Sequence, residues 1–134
     1  MVIRVAFSTD DGKLLVDDHF GEGKYFHIYD IGRDTYRLVD IRENKSGEER
    51  EHGDPLKAKK IAEILRDVDV LVGYRMGPNI NRMKKRFLPI VSRTRDIHEN
   101  IKLITRNMDE VMKLLNEKNI IVIMEKDGKI RIVR

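Results

Sequence analysis

A short apolar run near the middle of the chain constrains the fold more than any other feature of the sequence. Val68 and Val70 to Val72 are almost continuous, and they follow a segment, Leu56 to Arg66, whose apolar residues recur at helical spacing. A run of this kind is typical of a central strand that is buried on both faces of a sheet. A buried strand beside an amphipathic helix predicts an α/β domain.

The other segments extend this pattern in both directions. Strands are predicted over Val2 to Phe7, Tyr25 to Ile31, Tyr36 to Arg42, Leu88 to Val91, Ile120 to Met124 and Ile130 to Val133. Helices are predicted over Pro55 to Arg66 with Asp54 as N-cap, over Asn79 to Arg86, and from an Asn107 cap with Glu110 three residues on through Lys118. Ile101 to Ile104 is predicted to continue the strand before it or to form a further short one. The order is β-β-β-α-β-α-β-α and then a hairpin that turns at Asp127-Gly128, which predicts a mixed sheet.

Composition excludes several classes of protein. The 134 residues contain no Cys, so there is no disulfide framework, no thiolate zinc site, no ordinary cysteine-ligated iron–sulfur site and no cysteine nucleophile. Charged residues interrupt every apolar stretch too soon for a membrane span or for the apolar core of a signal peptide. We therefore expect one soluble, cytoplasmic domain that does not bind a membrane. The many Lys, Glu, Arg and Ile residues suit a heat-loving source.

The net charge of +4 is unevenly distributed. Residues 1–54 carry 8 basic and 13 acidic side chains, whereas residues 55–134 carry 19 basic and 10 acidic ones. The stretch from Arg75 to Arg95 contains seven basic residues and no acidic one. Such a stretch can attract a nucleic acid or another anion, and it can equally be a solvated surface.

Two histidines are candidate metal ligands. His19 lies in a loop directly after two carboxylates and before Gly21, where its ring can project toward solvent and bind a metal. The alternative is a surface histidine that is hydrogen-bonded to Asp17 or Asp18. His52 lies in a charged loop, from which it could approach His19.

The segment Gly73 to Asn81 is a candidate anion-binding turn. It follows the central strand and opens a helix, and the start of a helix offers backbone N–H groups to an anion. It lacks the Gly-Lys-Ser/Thr ending of a phosphate-binding loop, so an ordinary strand-to-helix turn is the alternative. Asp10 and Asp11 end the first strand, but the central strand ends without a carboxylate, so two-metal catalysis and an enzymatic function are not indicated.

Taken together, these motifs resemble the dinitrogenase iron–molybdenum cofactor biosynthesis family, the NifX/NafY-like proteins. The resemblance rests on Ile3 to Gly12, on His19-Phe20-Gly21 with the aromatic strand Tyr25 to Asp30, on Asp69 to Gly73 and on Gly77-Pro78-Asn79. It covers residues 1–118, and residues 119–134 are expected to be a C-terminal β-hairpin extension of the same domain. The resemblance implies a ribonuclease H-like three-layer fold with a mixed five-stranded sheet, to which this chain is expected to add the C-terminal β-hairpin.

The family also implies a function and a site. It implies binding or carriage of an iron–sulfur or iron–molybdenum cluster, without enzymatic activity, together with cofactor-assembly proteins as partners, and the His of the His-Phe-Gly loop as the suspected ligand. The expected cluster-binding residues are His19, Phe20, Gly21, Arg75, Gly77, Pro78, Asn79 and Arg82, and the expected metal ligands are His19 and His52. Two alternatives stay open: a nucleic-acid-binding module that uses Arg75 to Arg95, and a protein-interaction domain whose tail hairpin offers an edge strand.

Overall fold

The protein is described by a computed structural model that covers residues 1–47 and 53–134. The strands are β1 (Ile3–Thr9), β2 (Tyr25–Ile31), β3 (Tyr36–Glu43), β4 (Val70–Gly73), β5 (Leu88–Ser92), β6 (Ile121–Met124) and β7 (Ile130–Val133). The helices are α1 (Pro55–Ile64), α2 (Ile80–Met83), α3 (Ile97–Arg106) and α4 (Met108–Leu114), and a 3₁₀ turn spans Phe20–Glu22. His52 lies outside the described residues, so its predicted approach to His19 stays a prediction.

All seven strands form one mixed sheet in the order β3-β2-β1-β4-β5-β6-β7. Strands β1, β4, β5 and β6 run parallel to one another, whereas β2 and β3 at one side and β7 at the other pair antiparallel. The sheet is thus larger than the expected five strands, because β6 pairs with β5 instead of forming a separate hairpin. As predicted, the tail hairpin does present an edge strand, β7.

Helices cover both faces of the sheet. One apolar cluster packs β1, β4 and β5 against α3 and α4, and a second packs the opposite face against α1 and α2. Val70, Leu71 and Val72 are fully buried, which confirms the central strand that the apolar run predicts. The N-cap of α1 is also as predicted, since the Asp54 carboxylate accepts a hydrogen bond from the backbone N–H of Leu56 at 3.0 Å.

Three predicted local structures differ. The proposed strand at Ile101 to Ile104 is wrong, because those residues lie within α3 and bury its apolar face. Asn107 is the N-cap residue of α4 as predicted, but its side chain makes no capping hydrogen bond, and its amide donates to the carbonyls of Leu103 and Gly128 instead. Asn107 thereby ties the tail hairpin to α3. Helix α2 is also shorter than predicted, with a single turn over Ile80–Met83. None of the helices in the described part of the chain could cross a bilayer.

Candidate functional site

The carboxyl ends of β1 and β4 bring the two predicted motifs together. His19, in the β1–β2 loop, and Arg75, directly after β4, form an isolated parallel β-bridge. The bridge joins the His-Phe-Gly segment to the start of the segment that contains Gly77-Pro78-Asn79. Ligands of open α/β sheets bind at this edge, where loops leave the carboxyl ends of adjacent parallel strands. The two motifs, far apart in the sequence, therefore form one surface.

The imidazole of His19 lies directly against Gly77. A Cβ atom at Gly77 would lie 2.6 Å from Nδ1 and 2.7 Å from Cγ of His19, which is closer than real Cβ atoms approach other atoms. Gly77 also has a φ of +74°, a conformation that side chains other than glycine rarely adopt. Glycine is therefore required at this position for two reasons: the conformation of the turn and the position of the His19 ring. His19 as a residue is partly exposed.

The residues that follow His19 anchor its loop. Phe20 is fully buried and stacks on Phe26 with the ring centroids 5.2 Å apart. Gly21 is buried against α1, where a Cβ atom would meet Ile61 Cδ1 at 2.9 Å. The backbone N–H of His19 donates to the Asp18 carboxylate at 2.7 Å. The side chain of Phe20 is thus placed to hold the loop and not to contact a ligand at the surface.

The residues after Gly77 are joined to the start of α1. Asn79 is buried; its amide donates to the Asp54 carbonyl at 3.0 Å, and its oxygen accepts from the Arg82 guanidinium at 3.1 Å. Arg82 also donates to the Gly53 carbonyl at 2.8 Å. Both side chains therefore fix the turn. Pro78 has no N–H group, so the predicted anion contact at this turn depends on the N–H groups of Gly77 and Asn79.

A buried lysine that the sequence analysis missed lies behind the His19 loop. Lys57, in α1, is 3% exposed, and its ammonium pairs with Glu22 Oε1 at 3.1 Å and donates to the Gly47 carbonyl. Its position four residues before Ile61 could have indicated it, because residues four apart share one face of a helix. This pair ties the 3₁₀ turn after His19 to α1.

A small cavity lies beneath His19. Its volume is about 10 Å³, which is close to the space that one water molecule needs. The residues that line it include His19, Lys57, Met76, Asn79 and Met83. A metal cluster is far too large for it, so a cluster would have to bind on the outer surface, beside the partly exposed His19.

Charged side chains in the loops around the site form ion pairs and hydrogen bonds with neighbouring residues. Arg75 is 60% exposed and lies 3.2 Å from the Asp17 carboxylate, so its charge remains close to the surface of the site. The backbone N–H groups of Leu14 and Lys13 hold the pKa of Asp11 below its usual value, and Asp10 accepts from the N–H of Lys24. The two carboxylates at the end of β1 therefore serve as turn-forming acceptors.

The other histidines lie elsewhere. His27, on β2, contacts Gly12, and burial lowers the pKa of its imidazole. His98, exposed on α3, meets the ring of Tyr36 edge-on with the centroids 6.2 Å apart. Within residues 1–47 and 53–134, no group of three or more His, Asp or Glu side chains could hold a metal ion. A ligand set of several hard donors is therefore not found there.

The arginines of the basic stretch bond to partners in different segments of the chain. Arg86 donates to the Arg66 carbonyl, Arg93 pairs with Glu125, and Arg95 donates to the Leu15 carbonyl. Arg75 pairs with Asp17 and Arg82 donates to the Gly53 carbonyl, so the stretch bonds to several segments of the fold. The nucleic-acid alternative stays a prediction, and these contacts do not favour it.

The fold and the paired loops define an α/β domain with a candidate site at the carboxyl ends of two adjacent parallel strands. The model of the family described as "Dinitrogenase iron-molybdenum cofactor" matches residues 1–107, so the chain belongs to that family. No curated protein matches the chain.

One solved structure supports the fold. A protein of Methanocaldococcus jannaschii, described as a "putative dinitrogenase", aligns with a TM-score of 0.59 over 80% of this chain and 91% of its own, at 19% sequence identity. At that identity the likeness shows a shared fold, and the site residues must be argued from this chain alone.

Proposed function

We propose that the protein binds an iron–sulfur or iron–molybdenum cluster as cargo and passes it on during cofactor assembly, without catalysing a reaction. The observation that carries the proposal is the contact between His19 and Gly77, because it fixes an imidazole at the carboxyl ends of β1 and β4. Membership of the iron–molybdenum cofactor family supports the identity of the cargo. Cofactor-assembly proteins would then be the donor and the acceptor.

The residues present suit a carrier. A carrier must release its cargo, so one imidazole ligand at a surface suits it better than a closed cage of four ligands. Such clusters carry negative charge, and the exposed guanidinium of Arg75 is bridged to His19 through the backbone. We assign His19 as the ligand, Arg75 as the electrostatic contact, and Phe20, Gly21, Gly77, Pro78, Asn79 and Arg82 as the residues that position them.

The finer assignments of fold and domain belong to the same proposal. The first five strands follow the order β3-β2-β1-β4-β5 with β2 antiparallel to its neighbours, which supports a ribonuclease H-like fold. The family match ends at residue 107, but β6 pairs with β5, which supports residues 119–134 as an extension of the same domain. We propose the cytoplasm as the location.

The test is anaerobic binding of isolated iron–molybdenum cofactor, followed by its visible absorbance on the protein after gel filtration. We expect His19→Ala to lose at least 90% of the bound cofactor while its unfolding free energy stays within about 0.5 kcal/mol of the parent. His98→Ala removes another surface histidine and should bind as the parent does. Equal binding by the His19 and His98 variants would rule out His19 as the ligand.

A further inference from the structure

A groove of about 290 Å³ lies on the surface between α1 and the segment that begins with α2. Its walls are apolar: Pro55, Ala58 and Ala62 line it from α1, and Met83 and Phe87 line it from the other side. Met83 and Phe87 belong to the apolar cluster beneath α1, so the groove borders that cluster. A groove of this size and lining suits a large apolar side chain of a partner, the kind of anchor on which binding energy concentrates.

The charged side chains that line this groove are cations. Lys59, Arg82 and Arg86 lie along it and all three are exposed, and no Asp or Glu within residues 1–47 and 53–134 lines it. Arg82 donates to the Gly53 carbonyl and Arg86 donates to the Arg66 carbonyl. Because these acceptors are neutral, the bonds fix the two guanidinium groups without cancelling their charge. The groove therefore combines apolar walls with a concentration of positive charge.

The groove adjoins the candidate site around His19. Met83 lines both the groove and the cavity beneath His19. Arg82, in the groove, also donates to the side-chain oxygen of Asn79, which lines that cavity. A partner seated in the groove would therefore lie next to the surface on which the cluster is proposed to bind.

The chemistry of the groove favours one kind of macromolecule over others. Phe87 is only 5% exposed and its ring lies beneath the Arg86 guanidinium at 5.3 Å, so a nucleobase has no open aromatic face there on which to stack. A second copy bound about a two-fold axis would bring the same cations together across the interface, and like charges oppose that arrangement. A protein segment with apolar side chains on one face and carboxylates beside them matches both the walls and the charge.

We propose that the groove between α1 and α2 is the docking site for an acidic amphipathic helix of a partner protein. An apolar side chain of that helix enters between Ala62 and Phe87, and its carboxylates face Lys59, Arg82 and Arg86. This is the mode of recognition in which a helix lays its apolar face into a groove. The proposal rests on the proposed function only in taking the partner to be a cofactor-assembly protein that delivers or receives the cluster; docking itself needs no cluster.

The probe for this site is a synthetic peptide of about sixteen residues, long enough to form a helix, with Leu on one face and Glu elsewhere. The chain contains three alanines, and ¹³C labelling of their methyl groups in the full chain reports on the groove directly. We expect the signals of Ala58 and Ala62 to shift and to saturate below about 1 mM peptide, while Ala6, fully buried in β1, stays in place. The absence of shifts at Ala58 and Ala62 would overturn the proposal.

Two control peptides separate the contributions of charge and apolar surface. The peptide with Gln in place of Glu lacks the carboxylates, and the peptide with Ala in place of Leu lacks the anchor side chains. Each should bind at least tenfold more weakly than the probe. Equal binding of all three peptides would show that neither the cations nor the apolar walls recognise the helix, and would refute the proposal.

A pair of charge reversals distinguishes the groove from the overall charge of the protein. Lys59→Glu places a carboxylate in the groove and should weaken binding of the Glu peptide at least fivefold. Lys102→Glu, at an exposed position of α3 on the opposite face of the sheet, makes the same change in net charge and should leave the affinity within twofold of the parent. Equal losses in the two variants would show that only net charge matters and would refute the groove.

The other occupants are excluded by the same alanine signals. Single-stranded DNA that shifts Ala58 and Ala62 more strongly than the peptide, or a concentration-dependent dimer that shifts them without peptide, would overturn the proposal in favour of that occupant. None of these measurements uses the cofactor, so the two proposals fail separately. Peptide binding without cofactor binding refutes only the carrier function, and cofactor binding without alanine shifts refutes only the docking groove.

Discussion

The two ends of the sheet hold their loops by different means. At the carboxyl ends of β1 and β4, where His19 lies, the contacts are close and mostly buried: a ring against Gly77, and a lysine that is 3% exposed. At the amino end, Asp30 and Asp67 form partly exposed ion pairs with Arg4, and Asp67 also pairs with Arg42 of β3. Steric fit fails when a single methyl group is added, whereas a charge network weakens gradually with pH and salt. The end of the sheet that carries the candidate site is therefore expected to tolerate fewer substitutions than the amino end.

The largest effect is expected at Lys57. Lys57→Met keeps the aliphatic stem but removes the partner of Glu22 and the donor to the Gly47 carbonyl. Because Glu22 is partly exposed, we expect a loss of about 3 kcal/mol, the low end of the range for broken buried pairs. Urea unfolding measures it, with Lys59→Met, an exposed residue of the same helix, as control. Similar losses in both variants would show that burial of Lys57 does not matter.

Two glycines allow the cost of backbone strain and the cost of steric contact to be measured separately. Gly77 and Gly47 both have positive φ, but a Cβ atom at Gly47 would meet no atom of the described residues within 4 Å. Gly47→Ala should therefore cost about 1 kcal/mol from backbone strain alone. Gly77→Ala should cost about 2 kcal/mol, since overpacking against His19 adds to the strain, and should also reduce cofactor binding. If the two alanine variants unfold and bind alike, the contact with His19 is not what fixes the ring.

The amino end should respond to acid. Hydrogen bonds from the guanidinium of Arg42 lower the pKa of Asp67, and those from Arg4 lower the pKa of Asp30. A depressed folded pKa adds stability above the unfolded value of about 3.9, and this stability is lost as the pH falls toward the folded value. Asp67→Asn should cost about 1 kcal/mol at pH 7. The gap between parent and variant, followed by urea unfolding, should close below about pH 3; a constant gap would contradict the linkage.

The smallest effect on stability is expected at Arg75. Its pair with Asp17 is more than half exposed on both sides, so Arg75→Ala should change the unfolding free energy by less than about 0.5 kcal/mol. Binding of the anionic cofactor should nevertheless weaken a few-fold and depend less on salt. Arg37→Ala, which removes an exposed arginine of β3, is the control. Identical salt dependence in the two variants would remove Arg75 from the site.

The sequence predicted what local patterns encode. The apolar run at Val70, the Asp54 cap and the Asp127-Gly128 turn each carry their own signal, and the structure confirms the elements that they mark. The segment around Ile101 was misassigned because short β-branched runs also suit strands, although Ile97, Ile101 and Ile104 recur at helical spacing. Periodicity alone does not distinguish a helix from a strand when the segment is short.

What the sequence could not supply is contact between distant residues. The motif pair suggested a common site for His19 and Gly77, but not that the ring excludes a side chain at that glycine. The cavity wall shared by Met76, Met83 and His19 likewise has no local signal, because methionine is an ordinary core residue at each position taken alone. Such details depend on the packing of three separate segments.

The order of the strands determines which edges of the sheet a partner protein could pair with. β1 and β4 lie in the interior of the seven strands, with two strands on one side and three on the other, and the unpaired edges belong to β3 and β7. A protein that added a strand to either edge would leave the surface around His19 open. Strand pairing at an edge and binding at the candidate site would therefore use separate surfaces.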